Sequence, residues 1–318
     1  MQTMTYAVAA AKAVADAMRE DPTVWCVGED LGRGGVFKQY TGLPEEFGPD
    51  RISDAPISEA AIMGAAFGAA MVGTRPIVEM RFADFALCAT DELVNQIAKA
   101  RFMFGGQSRA PMVIRKPMGM WRSSAAQHSQ SLESWYVHIP GLVVCCPATP
   151  QDNYSMMRAA IACDDPVVYL EHKDIWALEG LVDTSETCAF GKARNRHSGD
   201  DLTIVSWSNT ANLAVDAAEI LARGGVEADV LDLRSLWPWD KTAVLGSVRR
   251  TGRLLIAHES VQVGGFGAEV AATVAEYSPC RIKRLGSPRS LIAYAPNLED
   301  QLRVTSDMIA NAARTLCS

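Results

Sequence analysis

Glu59 is the first residue of this sequence whose type and position could carry chemistry. It follows a short β-like stretch and opens an Ala- and Gly-rich segment from Ala60 to Gly73. That segment predicts a helix, and a carboxylate in its first turn suits the positive end of the helix dipole. We expect the helix to hold Glu59 rigidly at a buried seam. The alternative is a purely structural start of the helix, with Ser58 as the N-cap.

His128 lies in a second polar segment, from Ala126 to Glu133. Amide and hydroxyl side chains flank it at a predicted loop-to-helix junction, where an imidazole stays hydrated enough to exchange protons near neutral pH. A satisfied structural histidine is the alternative. His138 follows in an aromatic stretch, and we expect that histidine to be structural.

The composition excludes several classes of protein. Hydrophobic residues make up 48% and charged residues 21% of the 318-residue chain, as in an ordinary globular enzyme. A net charge of −7 does not favour binding of nucleic acid, which requires a basic surface. The apolar runs fall short of the ~20 residues that a membrane span needs. No secretory signal is visible, so we expect a cytoplasmic protein.

Strand and helix patterns alternate through both halves of the chain, which predicts mainly parallel sheets built from βαβ units. In the first half we expect strands at 23–27, 75–80, 111–115, 142–146 and 166–170. Helices are expected there near 6–18, 60–73, 87–104 and 151–162. In the second half the strands are expected at 202–206, 228–232, 253–257 and 281–285, with helices near 209–224, 240–250 and 265–277.

The length predicts two domains. A charged, aperiodic stretch between about 171 and 201 separates the two runs of strands and helices, so we expect domains of 1–188 and 189–318. The predicted fold class is α/β, with two doubly wound α/β/α domains.

Four short motifs follow one another along the chain in a recognisable order: Ile57-Ser58-Glu59, Phe82-Ala83-Asp84-Phe85, Gln127-His128-Ser129-Gln130-Ser131 and Ile139-Pro140-Gly141-Leu142. They resemble the β subunit of thiamine-diphosphate-dependent 2-oxo acid dehydrogenases. The resemblance covers about residues 4 to 270, and it implies a pyrimidine-binding transketolase-like domain followed by a transketolase C-terminal-like domain. Gly34 to Lys38 and Val94 to Gln96 favour the acetoin dehydrogenase branch over the pyruvate and branched-chain branches.

The resemblance also implies roles for individual side chains. Glu59 would contact N1′ of the cofactor's aminopyrimidine and set the protonation of that ring. For this the carboxyl would have to be protonated or share a proton, and burial would favour that state by raising the pKa of Glu59. Phe85 would stack on the pyrimidine, with a plain core aromatic as the alternative. His128 would face the substrate and move protons or stabilise a developing oxyanion. Glu29 and Ile57 would line the same cofactor pocket.

The metal sites and partners implied by the resemblance extend beyond this chain. The cofactor's diphosphate is normally held through Mg²⁺ on a G-D-G…N segment, and this sequence has no Gly-Asp-Gly. The Mg²⁺ site would therefore belong to a separate α subunit in an α₂β₂ heterotetramer, with thiamine diphosphate between the chains. Some relatives also bind K⁺ in the loop matching 160–165. Asp165 would ligate it through its side chain, with backbone carbonyls such as those of Ala160 and Cys163, and an oxygen-rich loop without metal is the alternative.

Two segments depart from the family's pattern. Met118 to Ala125 stands where close relatives have a run of glycines, so we expect the pocket beside His128 to be filled or reshaped. The alternative is that Trp121 points away, towards the α subunit. Ser287 to Ile292 differs from the family's usual continuation and Ala295 to Glu299 matches it only loosely, which weakens the case for docking onto a lipoyl acyltransferase.

The sequence thus predicts the β subunit of an oxidoreductase that cleaves a 2-oxo acid or acetoin and transfers the acyl unit to lipoamide of an acyltransferase. The alternative is a two-subunit thiamine-diphosphate-dependent carboligase or transketolase-like enzyme that acts without a lipoyl partner. A third, non-enzymatic interpretation is a structural partner that stabilises an α subunit.

Overall fold

A computed structural model describes residues 1–318. The strands are β1 (Gln2–Thr5), β2 (Val24–Gly28), β3 (Ile52–Asp54), β4 (Arg75–Glu79), β5 (Val113–Met118), β6 (Val143–Cys145), β7 (Val167–His172), β8 (Glu179–Val182), β9 (Arg194–His197), β10 (Leu202–Ser206), β11 (Ala228–Asp232), β12 (Ser235–Trp237), β13 (Arg253–Val261) and β14 (Arg281–Ser287). The α-helices are α1 (Tyr6–Glu20), α2 (Leu43–Phe47), α3 (Glu59–Met71), α4 (Ala98–Met103), α5 (Glu133–Val137), α6 (Pro150–Ala162), α7 (Ser208–Ala222), α8 (Lys241–Thr251), α9 (Gly267–Tyr277), α10 (Pro296–Asp300) and α11 (Ser306–Cys317).

The larger sheet has seven strands in the order β12-β6-β7-β5-β4-β2-β3. All neighbours pair in parallel except β12, which runs antiparallel to β6. Helices α1 and α6 cover one face, and α3, α5 and the 85–103 segment cover the other. Because β5, β4, β2 and β3 are adjacent and parallel, the loops that follow them meet at one edge of the sheet.

The smaller sheet has five strands in the order β14-β13-β10-β11-β9, with only β9 antiparallel. Helices α7 and α11 pack on one face and α8 and α9 on the other. A single apolar cluster joins the two halves, since Trp207 and Phe266 of the second half are buried with Leu142 and Val144 of the first. The second half is therefore fixed against the first by a shared core.

The predicted strands and most predicted helices are confirmed within a few residues, as is the α/β class with two doubly wound halves. The helix expected near 87–104 is confirmed in its position but is not a regular α-helix. A 3₁₀ turn at Phe85–Ala89 precedes a continuous helical segment at 90–103, which is π-helical at Glu92–Ile97 and ends in α4. Thr90 donates to the carbonyl of Leu87 and Lys99 to that of Val94, so side chains satisfy carbonyls that a regular helix would pair with its own amides.

The division at 188 stays a prediction. β12 belongs to the second half of the sequence but pairs with β6 at the edge of the first sheet, which the sequence pattern does not indicate. No helix of the chain combines the length and the apolar character that a membrane crossing requires.

Candidate active site

The predicted site residues come from four loops at one edge of the large sheet. Glu29 follows β2, Glu59 follows β3, Phe85 follows β4 and His128 follows β5. These four strands are neighbours in the sheet, so residues from distant parts of the sequence converge without any special contact being required.

Glu29 is buried, with 5% of its surface exposed, and pairs with Arg81 at 3.3 Å. The same guanidinium contacts Asp30 at 2.9 Å. Burial raises the pKa of Glu29, the negative charge of Glu59 raises it further, and Arg81 opposes both. Glu29 and Glu59 are therefore close enough to influence each other's charge, with Arg81 as the local cation.

Glu59 is the first residue of α3, as predicted, but its surroundings are exposed to solvent in this chain. Glu59 is half-buried, and Ile57 just before it is 72% exposed. Ser58 occupies the N-cap position without donating or accepting a capping hydrogen bond through its side chain. Ser58 is thus the N-cap by position, as predicted, but contributes no side-chain hydrogen bond. Any further burial of Glu59 has to come from outside this chain.

His128 and Phe85 lie together. The imidazole contacts the Phe85 ring with centroids 5.0 Å apart and the Phe82 ring at 4.7 Å, edge to face in both cases. Lys173 donates a hydrogen bond to the backbone carbonyl of His128, and its ammonium lies 4.8 Å from the centroid of Phe82. Burial lowers the pKa of Lys173 to about 8. The imidazole is thereby held between two aromatic rings, with a buried lysine behind its backbone.

Trp121 belongs to the same aromatic cluster. Phe37 contacts Phe82 at 5.4 Å, Trp121 at 5.7 Å and Trp176 at 4.8 Å between ring centroids. Trp121 therefore contacts its own chain through Phe37 and stays partly exposed, and the alternative in which it points towards the α subunit stays a prediction. Trp176 is the member of this cluster that no sequence motif indicated, because its contact with Phe37 depends on long-range packing.

The loop that carries His128 has an unusual backbone. We define the 119–128 loop as Gly119 to His128. Arg122, Ser123 and Ala125 have φ values of 46°, 58° and 61°. Non-glycine residues in this left-handed region cost on the order of 1 kcal/mol each. The segment expected to reshape the pocket is thus strained and must be held by its surroundings.

Carboxylates from the second half of the chain contact this loop. Glu259 accepts a hydrogen bond from the Met120 amide at 2.8 Å and pairs with His172 at 3.0 Å. Burial alone would raise the pKa of Glu259, but His172 and the Met120 amide outweigh it and lower the pKa. Glu299 accepts from the Ser123 amide at 2.7 Å. Neither glutamate was recognised as a site residue in the sequence, because isolated carboxylates far along the chain carry no local signal.

His138, expected to be structural, is not part of the core. It is exposed at the C-cap of α5 and lines a groove together with Trp135 and Leu87. Its ring therefore contributes little to packing.

The predicted K⁺ loop has other partners for its oxygens. Arg75 donates to the carbonyls of Ile161 at 3.1 Å and Cys163 at 3.0 Å, while the Ala160 carbonyl accepts from the Cys163 amide. Asp165 pairs with Arg101. These oxygens thus already have protein partners, and a K⁺ site in this loop stays a prediction.

The residues at the sheet edge fit one half of thiamine diphosphate. They provide a carboxylate with an open face at Glu59, an aromatic ring at Phe85 that is not fully buried, and an imidazole beside it. This donor set suits an aminopyrimidine, which needs a hydrogen-bonding carboxyl and an apolar face.

Comparison with known proteins defines the class first. Residues 2–177 match the transketolase pyrimidine binding domain, and residues 191–309 match the transketolase C-terminal domain. A solved structure described as a split gene transketolase, inactive beta4 tetramer, has a TM-score of 0.85 with this chain at 22% identity, covering 99% of this chain and 98% of that one. The fold is that of the pyrimidine-binding and C-terminal domains of transketolase.

Two relatives define the family within that class. The chain is 38% identical to the 2-oxoisovalerate dehydrogenase subunit beta of Bacillus subtilis (strain 168), covering 99% of both chains. It is 39% identical to the acetoin:2,6-dichlorophenolindophenol oxidoreductase subunit beta of Cupriavidus necator, covering 95% of this chain and 94% of that one. The chain belongs to the β subunits of thiamine-diphosphate-dependent 2-oxo acid and acetoin dehydrogenases, so the resemblance found in the sequence is confirmed. The two sequence identities are too similar to assign the chain to the branched-chain or the acetoin dehydrogenase branch. Membership of the acetoin branch stays a prediction.

Proposed function

We propose that this chain supplies the aminopyrimidine-binding half of a thiamine diphosphate site, which a separate α subunit completes by holding the diphosphate through Mg²⁺. The observation that carries the proposal is the convergence of Glu59, Phe85 and His128 at one open edge of the sheet. When bound, the cofactor supplies a nucleophilic carbon for attack on the carbonyl of a 2-oxo acid or acetoin.

The side chains of this chain would bind, orient and exchange protons. Glu59 would share a proton with the ring nitrogen of the aminopyrimidine. Arg81 would limit the negative charge that Glu29 and Glu59 build up together, since it pairs with Glu29 at 3.3 Å. Phe85 would cover a face of the pyrimidine and fix the ring of His128. His128 would then donate a proton to, or accept one from, the oxygen of the substrate carbonyl.

A partner surface next to Glu59 supports a shared site. Helix α3 exposes a stripe of small residues at helical spacing: Ala61, Gly64, Ala65 and Gly68. A Cβ added at Gly64 or Gly68 would meet nothing within 4 Å in this chain. Glycine costs about 1 kcal/mol relative to alanine inside a helix, and no contact of this chain requires it at these positions. We infer that a backbone of the α subunit packs closely here and completes the burial of Glu59 in an α₂β₂ heterotetramer.

The acyl unit would pass to the lipoyl group of an acyltransferase, as the family relationship supports. The test is to reconstitute the α–β complex with thiamine diphosphate and Mg²⁺, supply a 2-oxo acid or acetoin, and measure reductive acylation of a lipoyl domain. Acylation with turnover supports the proposal. Donor turnover with carboligation products and no acylated lipoyl domain would favour the two-subunit carboligase instead. The domain boundary near 188 and a cytoplasmic location stay predictions.

A further inference from the structure

We propose that Glu299 is a positioning residue: it braces the 119–128 loop and so sets the place of His128 in the site. The inference rests on the proposed function for the role of His128. It starts from a contact between the 119–128 loop and a segment near the C-terminus that contains Glu299.

The loop needs bracing because its backbone is strained. Three non-glycine residues, Arg122, Ser123 and Ala125, hold left-handed φ values. Such conformations persist only where the surrounding structure fixes them. Gly119 opens the loop with φ at 88°, and a Cβ there would lie 2.2 Å from Nε2 of His172, so this end is sterically fixed.

Glu299 provides the brace in the middle of the strained stretch. Its Oε2 accepts from the Ser123 amide at 2.7 Å, and only 3% of the residue's surface is exposed. A hydrogen bond from an amide to an ionised carboxylate is roughly twice as strong as one between neutral groups. The Ser123 amide is thus paired with a buried charge at the point where the chain is in the left-handed region.

The brace is linked to the backbone of His128. Arg303 pairs with Glu299 at 3.1 Å and with Asp174 at 3.2 Å. Asp174 follows Lys173, which donates to the carbonyl of His128. The C-terminal segment from α10 to Arg303 therefore supports the loop at Ser123 directly and at His128 through Arg303, Asp174 and Lys173.

Glu299 of the C-terminal segment thus holds the strained stretch of the loop from outside. The C-terminal segment is thus engaged within the chain, at the loop that carries His128.

The experiment uses the reconstituted α–β complex and four β-chain variants. Glu299→Ala removes the brace, and Glu299→Gln keeps an acceptor for the Ser123 amide. Glu299→Ala combined with Ser123→Gly and Ala125→Gly removes the strain as well, since glycine adopts these angles without a steric cost. Glu276→Ala, at an exposed glutamate on α9, is the matched control.

Expected for Glu299→Ala are faster amide hydrogen exchange in peptides covering 119–128, a kcat about tenfold lower and a KM for the donor within about twofold of the native value. Glu299→Gln should stay within about threefold of the native kcat, and the glycine variant should recover most of the loss. If Glu299→Ala does not assemble, recovery of assembly by the two glycines gives the same support, and its absence overturns the inference.

The inference is overturned if Glu299→Ala behaves like Glu276→Ala, or if the two glycines restore nothing. Failure of the proposed function would be seen differently, as native turnover in a His128→Ala complex. The hydrogen exchange of the 119–128 loop does not depend on turnover, so the brace itself can be assessed in either case.

Discussion

The ring of Phe85 and the imidazole of His128 lie 5.0 Å apart, with their planes at 76°. One residue follows β4 and the other follows β5, so the contact joins two motifs that the sequence separates. It fixes the imidazole beside the ring that would cover the pyrimidine, at the edge where α3 presents Glu59.

Glu59→Gln should abolish most of the activity of the reconstituted complex. The amide cannot share a proton with the aminopyrimidine, and we expect kcat to fall by at least about 100-fold. Assembly with the α subunit should be unchanged, because glutamine has nearly the same size and shape as glutamate. Glu45→Gln, at an exposed glutamate, is the control. Native turnover in Glu59→Gln would favour the interpretation of this chain as a structural partner.

His128→Ala should lower kcat by about 100-fold while the complex still forms. The imidazole packs edge-on against Phe82 and Phe85, so part of the loss comes from looser packing. His128→Phe separates the two effects, because it keeps an aromatic ring without a titrating nitrogen, and it should be as inactive as the alanine variant. The exposed His138 provides the control through His138→Ala. Recovery of activity in His128→Phe would assign only a packing role to His128.

Turnover should depend on the charge of Lys173. Burial lowers its pKa to about 8, and its ammonium donates to the His128 carbonyl. Above pH 8 that hydrogen bond loses its charge assistance, so we expect kcat to decline with an inflection near this pH. Lys173→Arg stays charged, and its pH profile of kcat should lack the inflection. An identical inflection in both proteins would assign it to another group.

The same lysine makes a prediction for stability. An ordinary lysine in the unfolded chain has a pKa of about 10.4, whereas Lys173 in the folded chain titrates at about 8. The unfolded chain therefore binds more protons between these values, and the contribution of Lys173 to the free energy of unfolding rises with pH across that window. Below pH 8 the cost of burying the charge is fully present. Chemical unfolding of the native chain and Lys173→Met at several pH values checks the sign, since their difference should grow in favour of the native chain as pH rises.

Trp121 should influence the choice of donor substrate. It packs on Phe37, which contacts Phe82 beside His128. Trp121→Gly opens this cluster, and we expect the ratio of kcat/KM for a long-chain over a short-chain 2-oxo acid to rise by about tenfold. Trp121→Phe keeps an aromatic contact and should change the ratio much less. An unchanged ratio in Trp121→Gly would mean that this cluster lies outside the substrate's path.

The sequence was informative where the signal is local. Alternating strand and helix patterns located most elements, and the motifs around Glu59, Phe85 and His128 located the residues that meet at the sheet edge. The 3₁₀ turn and the π-helical stretch of the segment near 87–104 are accompanied by hydrogen bonds from Thr90 and Lys99 to backbone carbonyls, which helical periodicity does not reveal.

Long-range features escaped prediction for a different reason. The pairing of β12 with β6, and the contacts of Glu259 and Glu299 with the 119–128 loop, join residues more than 80 positions apart. A single carboxylate has no recognisable pattern in sequence until the fold brings its partners to it. The exposure of Glu59 has no local signal in the sequence either, and only the family resemblance, which places the cofactor between two chains, implied it.

The most direct test of the central claim is a calorimetric titration of thiamine diphosphate with Mg²⁺ into this chain alone, into the α subunit alone and into the reconstituted pair. The half-site at Glu59 predicts tight binding by the pair and no comparable binding by this chain alone, with the affinity of the pair reduced in Glu59→Gln. Tight binding by this chain alone would contradict the account.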